Sequence, residues 1–199
     1  MEPLRSQTLL TPTSATAFSE FSSSFDIGNT IDGSGLPGGF GLSDLHADYG
    51  AHNHWTTTNS SAVSSQFAIF NFTTGQSLTR FYLWNHRSNV IANSPNYYVT
   101  QFDLVFRDAG DATITSVDDL TAVGGTAAVQ SYSFPQVDNV FSVLFGIDTN
   151  AGDPLTGIAE ARFGLVAVPE PATTGLLLAV AGLFAASLWR RRKQKGAMD

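Results

Sequence analysis

Apolar and polar side chains alternate over short stretches of this 199-residue chain, and a period of two predicts strands. In VTQFDLVFRD (99–108), Phe102, Leu104 and Phe106 fall on one side and Gln101, Asp103 and Arg107 on the other, as in a strand with one face in a core. QFAIFNF (66–72) is apolar on both faces, which fits a strand inside a sandwich. LTRFYLWN (78–85) follows the turn-like TTGQS and sets Phe81 and Leu83 against Tyr82 and Trp84. DATITSV, AAVQSYSF, VFSVLFGI (140–147) and AEARFGLV (159–166) supply further strands. Before the C-terminal segment no helix-period run reaches about 10 residues. The pattern predicts an antiparallel β-sandwich. Residues 1–24 are rich in Ser and Thr and read as a flexible arm.

The pattern changes at the C-terminus. From Ala172 to Trp189 there are 18 residues without a charge, about 27 Å as a helix, close to the roughly 30 Å of a hydrocarbon core. Trp189 stands at the boundary, and Arg190, Arg191, Arg192, Lys193 and Lys195 follow. This predicts a transmembrane helix at 172–189 with a basic cytoplasmic tail at 190–199, the rest of the chain lying across the membrane. Pro169 and Pro171 stop any upstream helix. A core helix would seldom end in such a cationic cluster. The order Val168-Pro169-Glu170-Pro171, apolar span, basic cluster resembles the PEP-CTERM sorting signal of Gram-negative bacteria. The resemblance implies export across the inner membrane, recognition of the triplet by an exosortase, and a home on the surface or in the matrix of a cell that makes exopolysaccharide. Export also calls for an N-terminal signal, and MEPLRSQTLLTPTSATAF shows neither a basic start nor an apolar run of roughly 7–15 residues.

Ahead of residue 168, Arg5, Arg80, Arg87, Arg107 and Arg162 face 15 acidic side chains, a net of −10. Such a field repels a phosphate backbone, which argues against nucleic acid as a partner. There is no Cys, so disulfides and thiolate chemistry are excluded and stability rests on packing or a metal.

Several stretches in order resemble the discoidin, or coagulation-factor type C, domain: TIDGSGL (30–36), HNHWTT (52–57), FAIFNFTTGQSLTRFYLWNHR (67–87), VTQFDLVFRDAGDATIT (99–115) and GIAEARFGLV (157–166). The resemblance covers residues 25–167 and implies the galactose-binding-like jelly-roll sandwich. It further implies a structural calcium held by Asp32 in the first loop and by Glu160 in the last strand, clipping the ends of the domain together. Calcium takes six to eight oxygens at about 2.3–2.6 Å, which suits a carboxylate beside a Gly turn. The alternative is that Asp32 merely closes an Asp-Gly turn and Glu160 is a solvated strand residue.

In this family the loops at the sandwich rim bind sugars or membranes. A sugar site needs an aromatic face for the pyranose and planar polar groups for its hydroxyls. Trp55, Asn85, His86, Arg87, Tyr97 and Tyr98 could supply both, although Trp55 and Trp84 could equally be core. His46, His52 and His54, with Asp44 and Asp48, invite a zinc reading. No third ligand has a recognisable spacing, and the preferred reading is a Gly-rich loop exposed on the rim. DTNAGDP (148–154) reads as an Asp/Asn/Gly turn. No G-x-S-x-G, H-E-x-x-H, P-loop or Rossmann motif is present. Asp108, Asp111, Asp118 and Asp119 could be imagined as a glycosidase pair only with a cleft around them.

The sequence therefore leads to an exported, non-enzymatic surface or matrix protein. It has one sandwich domain (25–167), a sorting segment (168–199) and rim loops that bind carbohydrate such as exopolysaccharide. The alternatives are a matrix scaffold that packs against other proteins and, more remotely, a polysaccharide hydrolase.

Overall fold

The structure is a computed structural model and describes residues 8–38, 41–58, 62–88 and 96–165. The expected transmembrane helix, the Pro-Glu-Pro triplet and the basic tail lie outside the described residues. The strands are β1 (Leu9–Leu10), β2 (Ser14–Ala17), β3 (Trp55–Thr56), β4 (Phe67–Asn85), β5 (Val99–Arg107), β6 (Thr113–Thr121), β7 (Gln130–Asn150) and β8 (Gly157–Leu165). All the ladders between them are antiparallel, as the alternation predicted.

Two long strands build the sandwich. The first half of β4 pairs with the second half of β7 (Phe67 opposite Gly146, Asn71 opposite Ser142) and carries β2 on its other edge. The second half of β4 pairs with the first half of β7 (Leu78 opposite Val137, Leu83 opposite Gln130) and carries β8 on its other edge. β5 and β6 extend the first layer beyond β7, while β1 and β3 flank β8 in the second. The TTGQS segment is thus not a turn between two strands. It is a corner inside one strand of 19 residues, where the register with β7 shifts between Asn71 and Leu78. Tight contact shapes this corner: a Cβ at Gly75 would run into the side chains of Asn139 and Phe141, and Asn139 itself has φ +59°.

Residues 8–24 also differ from the expected flexible arm, since β1 and β2 are strands. Leu10, Ala15 and Ala17 pack against the core, and their backbones satisfy the open edges of β8 and β4. Burying apolar side chains and pairing two edges outweighs the Ser/Thr-rich composition.

Phenylalanines fill the space between the layers. Phe81 of the second layer lies 5.8 Å from both Phe102 and Phe145 of the first, and 5.2 Å from Phe163. Full burial of each such ring contributes on the order of 1.5–3 kcal/mol. The outer face of the second layer is covered as well. Tyr82, Trp84 and Ala159 form a small apolar cluster with Leu9, Leu36 and Val129. Trp84 Nε1 donates to the Asp44 carbonyl at 3.0 Å, and the His46 N–H donates to the Ala127 carbonyl at 2.9 Å. The loop between the first 3-10 turn (Ile27–Thr30) and β3 is therefore a strap across this face. Gly35 belongs to the strap with φ +87°, and a Cβ there would collide with the His46 ring.

Candidate functional site

At the end of the sandwich where β4 finishes and β5 begins, three sequence-distant segments converge. The strap brings His46, Tyr49 and His54, the end of β4 brings His86 and Arg87, and the approach to β5 brings Tyr97. The ring centres are 4.8 Å apart for His46 and His54, 4.7 Å for His54 and His86, 4.6 Å for Tyr49 and His86, and 5.5 Å for His86 and Tyr97. Phe25 stacks on Tyr49 at 5.1 Å.

Hydrogen bonds fix the tautomers of the two deepest rings. His54 Nε2 accepts from the Arg87 N–H at 3.3 Å, so Nδ1 is the donor, 2.7 Å from Asn53 Oδ1. His86 Nδ1 accepts from the Ser88 N–H at 3.2 Å, so Nε2 donates to Thr56 Oγ1 at 3.1 Å. Burial holds both imidazoles neutral. It lowers His86 to about 3, with the His46 charge adding to the effect. It drives His54 down still further, and His86, His46 and Arg87 act in the same direction. The zinc expectation is answered by the same bonds. His86 is the third ring that sequence spacing did not reveal, yet the nitrogens of His54 and His86 are committed. Among the described residues no three His, Cys, Asp or Glu side chains could hold a metal ion. Nor does His-x-His place both rings on one side, because His54 is buried while His52 is exposed with φ +64°. The loop expected to lie exposed on the rim is in part core.

The residues expected to touch a sugar divide into two groups. Trp55 is fully buried and its Nε1 donates to the Ser19 carbonyl at 3.0 Å, so it cannot stack on a ligand. Asn85 is buried too. Its amide donates to the Val99 and Val123 carbonyls and its Oδ1 accepts from the His86 and Val99 N–H groups, which pins β4 to the start of β5 and leaves nothing for a hydroxyl. His86 is enclosed as described. These three residues are scaffold, because a closed loop end needs its polar atoms satisfied internally. Arg87, Tyr97 and Tyr98 are partly exposed. Arg87 latches the strap: its guanidinium donates to the His46 carbonyl and pairs with Asp48 at 2.9 Å. Tyr98 lies flat against Gly124, whereas Tyr97 faces Tyr49 at 6.0 Å. Tyr49 is a rim residue that the sequence reading passed over, and Asp48 entered it only beside the histidines in the zinc reading. Their Asp-Tyr-Gly segment carried no periodic or motif signal.

Asp32 and Glu160 lie on the strapped face. Asp32 is exposed and its Oδ1 accepts from the Ser34 N–H at 2.7 Å. Glu160 is fully buried and ion-paired with Arg162, which corrects the alternative of a solvated strand residue. Burial pushes its carboxyl up to about 8. Arg162 draws it down, Asp32 raises it and the Gly33 N–H lowers it. Neither Glu160 oxygen accepts a well-formed hydrogen bond. Asp32 acts on the Glu160 carboxyl through its charge, and the Arg162 guanidinium is the direct partner of Glu160.

The acidic residues considered for hydrolysis serve other ends. Asp108 Oδ1 accepts from the Gly110 and Ala112 N–H groups, closing the β5–β6 turn, and Asp111 pairs with Arg107 at 3.0 Å. Asp118 and Asp119 sit farther along β6, on Ser116 and Gln101. DTNAGDP is a hydrogen-bonded turn in which Asn150 bonds the Asp153 and Leu155 carbonyls and the Gly152 N–H.

Residues 167–193 match the model of the PEP-CTERM protein-sorting motif. No curated protein matches the chain in sequence. Solved structures do match the fold. The family 32 carbohydrate-binding module of Clostridium perfringens NanJ, solved in complex with galactose, has a TM-score of 0.54 at 17% identity over 76% of this chain and 92% of that one. The family 32 module of AlyQ, in complex with 4,5-unsaturated mannuronic acid, has 0.55 at 17% over 78% and 97%. A fucose-binding module of Streptococcus pneumoniae has 0.54 at 14% over 77% and 93%. The chain thus carries a PEP-CTERM sorting motif at 167–193 behind a β-sandwich with the galactose-binding, discoidin-like fold of family 32 carbohydrate-binding modules.

Proposed function

We propose that this is an exported, non-enzymatic surface or matrix protein whose sandwich binds carbohydrate, such as the exopolysaccharide of its own cell, through the rim beside β4 and β5. The observation that carries the reading is the convergence of Tyr49, Tyr97, Arg87 and Asp48 at one loop end over a rigid, fully bonded floor. Two half-exposed phenol rings offer a stacking surface, while a guanidinium and a carboxylate offer planar hydrogen bonding for vicinal hydroxyls. Neighbours of the same fold solved with galactose and with 4,5-unsaturated mannuronic acid support this reading. The tail supports sorting: an exosortase recognises Pro169-Glu170-Pro171, and the apolar segment with Arg190, Arg191, Arg192 and Lys193 holds the chain in the inner membrane until then. Calcium held by Asp32 and Glu160 is a structural clip in this proposal and takes no part in sugar binding.

The test is retention of the full-length chain on a panel of polysaccharides, each with calcium and with chelator. Retention on one of them, lost in Tyr97→Ala while the melting temperature stays unchanged, is the expected result. Chelator lowers the melting temperature and leaves binding at low temperature intact. Absence of retention on every polysaccharide, the producer's own included, overturns the rim site and leaves a matrix scaffold.

A further inference from the structure

Between the end of β7 and the start of β8 the chain turns through Asn150-Ala151-Gly152-Asp153-Pro154-Leu155. Asp153-Pro154 is the one Asp-Pro pair in the sequence, and its peptide bond is unusual on both sides. The proline nitrogen belongs to a tertiary amide, more basic than an N–H nitrogen and so the readier leaving group. The aspartate side chain has the right length for its carboxyl to close a five-membered ring on the carbonyl of the same residue.

The turn adds to this chemistry. Asn150 Nδ2 donates to the Asp153 carbonyl at 2.7 Å, where negative charge develops in any attack on that carbonyl. The Asn150 amide is held in place, since it also donates to the Leu155 carbonyl at 2.8 Å and its Oδ1 accepts from the Gly152 N–H at 2.9 Å. Gly152, at φ +98°, turns the chain back onto it. The Leu155 N–H donates to Asp153 Oδ1 at 3.3 Å, closing a ring that contains the Asp153–Pro154 bond and keeps the carboxyl beside it. Pro154 is exposed and Asp153 partly so, so water reaches the bond.

We propose that the Asp153–Pro154 bond is a self-cleavage site, at which the Asp153 carboxyl and the Asn150 amide cut β8 and the sorting segment from the rest of the chain. A carboxyl oxygen of Asp153 attacks the carbonyl carbon of the same residue. The new C–O bond forms, the C–N bond breaks, and the proline nitrogen leaves with that electron pair and takes the carboxyl proton. The anhydride left on Asp153 opens with one water to two carboxyls. Because the acid form reacts, the step quickens as carboxylates gain protons, below about pH 5.

The fold keeps the products together. β8 lies beyond the cut and pairs with β4 from Leu78 to Asn85 and with β1 and β3 on its other edge. All its residues but Leu165 are buried. Cleavage therefore yields a two-piece sandwich, in which the piece bearing the sorting motif at 167–193 is held through β8 with no covalent link. The site is independent of the rim proposal.

The experiment incubates the full-length chain in mild detergent at about pH 5 and about pH 7, folded and in urea, and follows intact mass over several days. The expected result is two fragments, the second starting at Pro154, whose masses sum to the parent's plus one water and which form faster in acid. In acid the folded chain yields them at least about tenfold faster than the unfolded one. Asn150→Ala, checked as folded by its melting temperature, loses that advantage and keeps the rate seen in urea. Asp153→Ala and Pro154→Ala abolish the cut. Pro154 is exposed, so its variant folds and decides the matter if the others do not. In gel filtration the fragments co-elute until urea is added. No fragments, equal rates folded and in urea, an Asn150→Ala rate equal to the parent's, or cutting that persists in Pro154→Ala overturns the proposal. Fragments that separate without urea overturn the two-piece sandwich.

Discussion

The strap encloses two polar clusters, and they are built on opposite plans. At the rim, His54, His86 and Asn85 are buried with their polar side-chain atoms hydrogen-bonded. The exceptions are His46 Nε2 and Arg87 Nε at its margin. On the strapped sheet face, Glu160 and Arg162 are buried as a pair, with the Glu160 oxygens beside the Arg162 guanidinium and no well-formed hydrogen bond. A neutral network bonded from within needs no ligand to exist. A buried pair whose oxygens lack other hydrogen bonds depends on its partner. The first cluster is closed from within, and the second is held by its ion pair.

The largest expected effect breaks the second cluster. Glu160→Ala removes the buried side chain that pairs with Arg162 and should cost about 3–5 kcal/mol in urea unfolding. A loss below about 1 kcal/mol would mean the pair is not enclosed.

Acid and base should then separate the two regions. His86 is depressed to about 3 from an ordinary 6.5, so an unfolded chain takes up a proton that the fold refuses. Its contribution is full above about pH 6.5 and is lost, by on the order of a few kcal/mol, as pH falls toward 3. Glu160 is raised to about 8 from 4.5. Its contribution is full below about pH 4.5 and declines as pH rises through 8. The stability profile of Glu160→Gln should therefore lose the decline between pH 4.5 and 8 while keeping the acid limb. If both limbs persist unchanged, another group titrates there.

Within the rim, Asn85→Ala unpairs the Val99 and His86 N–H groups and should cost about 1–3 kcal/mol by thermal unfolding. An unchanged melting temperature would show that water replaces the amide. The smallest effect belongs to the latch. Asp48 is 58% exposed on its side of the Arg87 pair, so Asp48→Ala should cost at most about 1 kcal/mol while loosening the strap, read as faster amide exchange at His46 and Ala47. Protection equal to the parent's would remove Asp48 from the latch.

Much of the fold was legible in the sequence because it depends on neighbours in the chain. Phe102, Leu104 and Phe106 face inward and are fully buried, as their alternation said, and the ladders are antiparallel. The corners of β4 and β7 were not legible: TTGQS has the composition of a turn, and only its pairing across to Val140 keeps it in the strand. The same limit governs the site. Arg87 and Tyr97, named by residue type, are partly exposed at the rim, but Trp55 and Asn85 have the chemistry of ligand contacts and are spent on the Ser19, Val99 and Val123 carbonyls.

Local periodicity, the acidic balance before residue 168 and the order of Pro-Glu-Pro, apolar span and basic cluster are properties of the chain itself, and the sequence determined them alone. Which polar side chains meet was decided by the tertiary structure. His54 and His86, and Asp32 and Glu160, stand 32 and 128 positions apart in the chain, and no spacing rule spans such distances. Only closure of the two layers and the strap across them sets which of these groups are desolvated together, and desolvation holds His86 neutral and raises the Glu160 carboxyl.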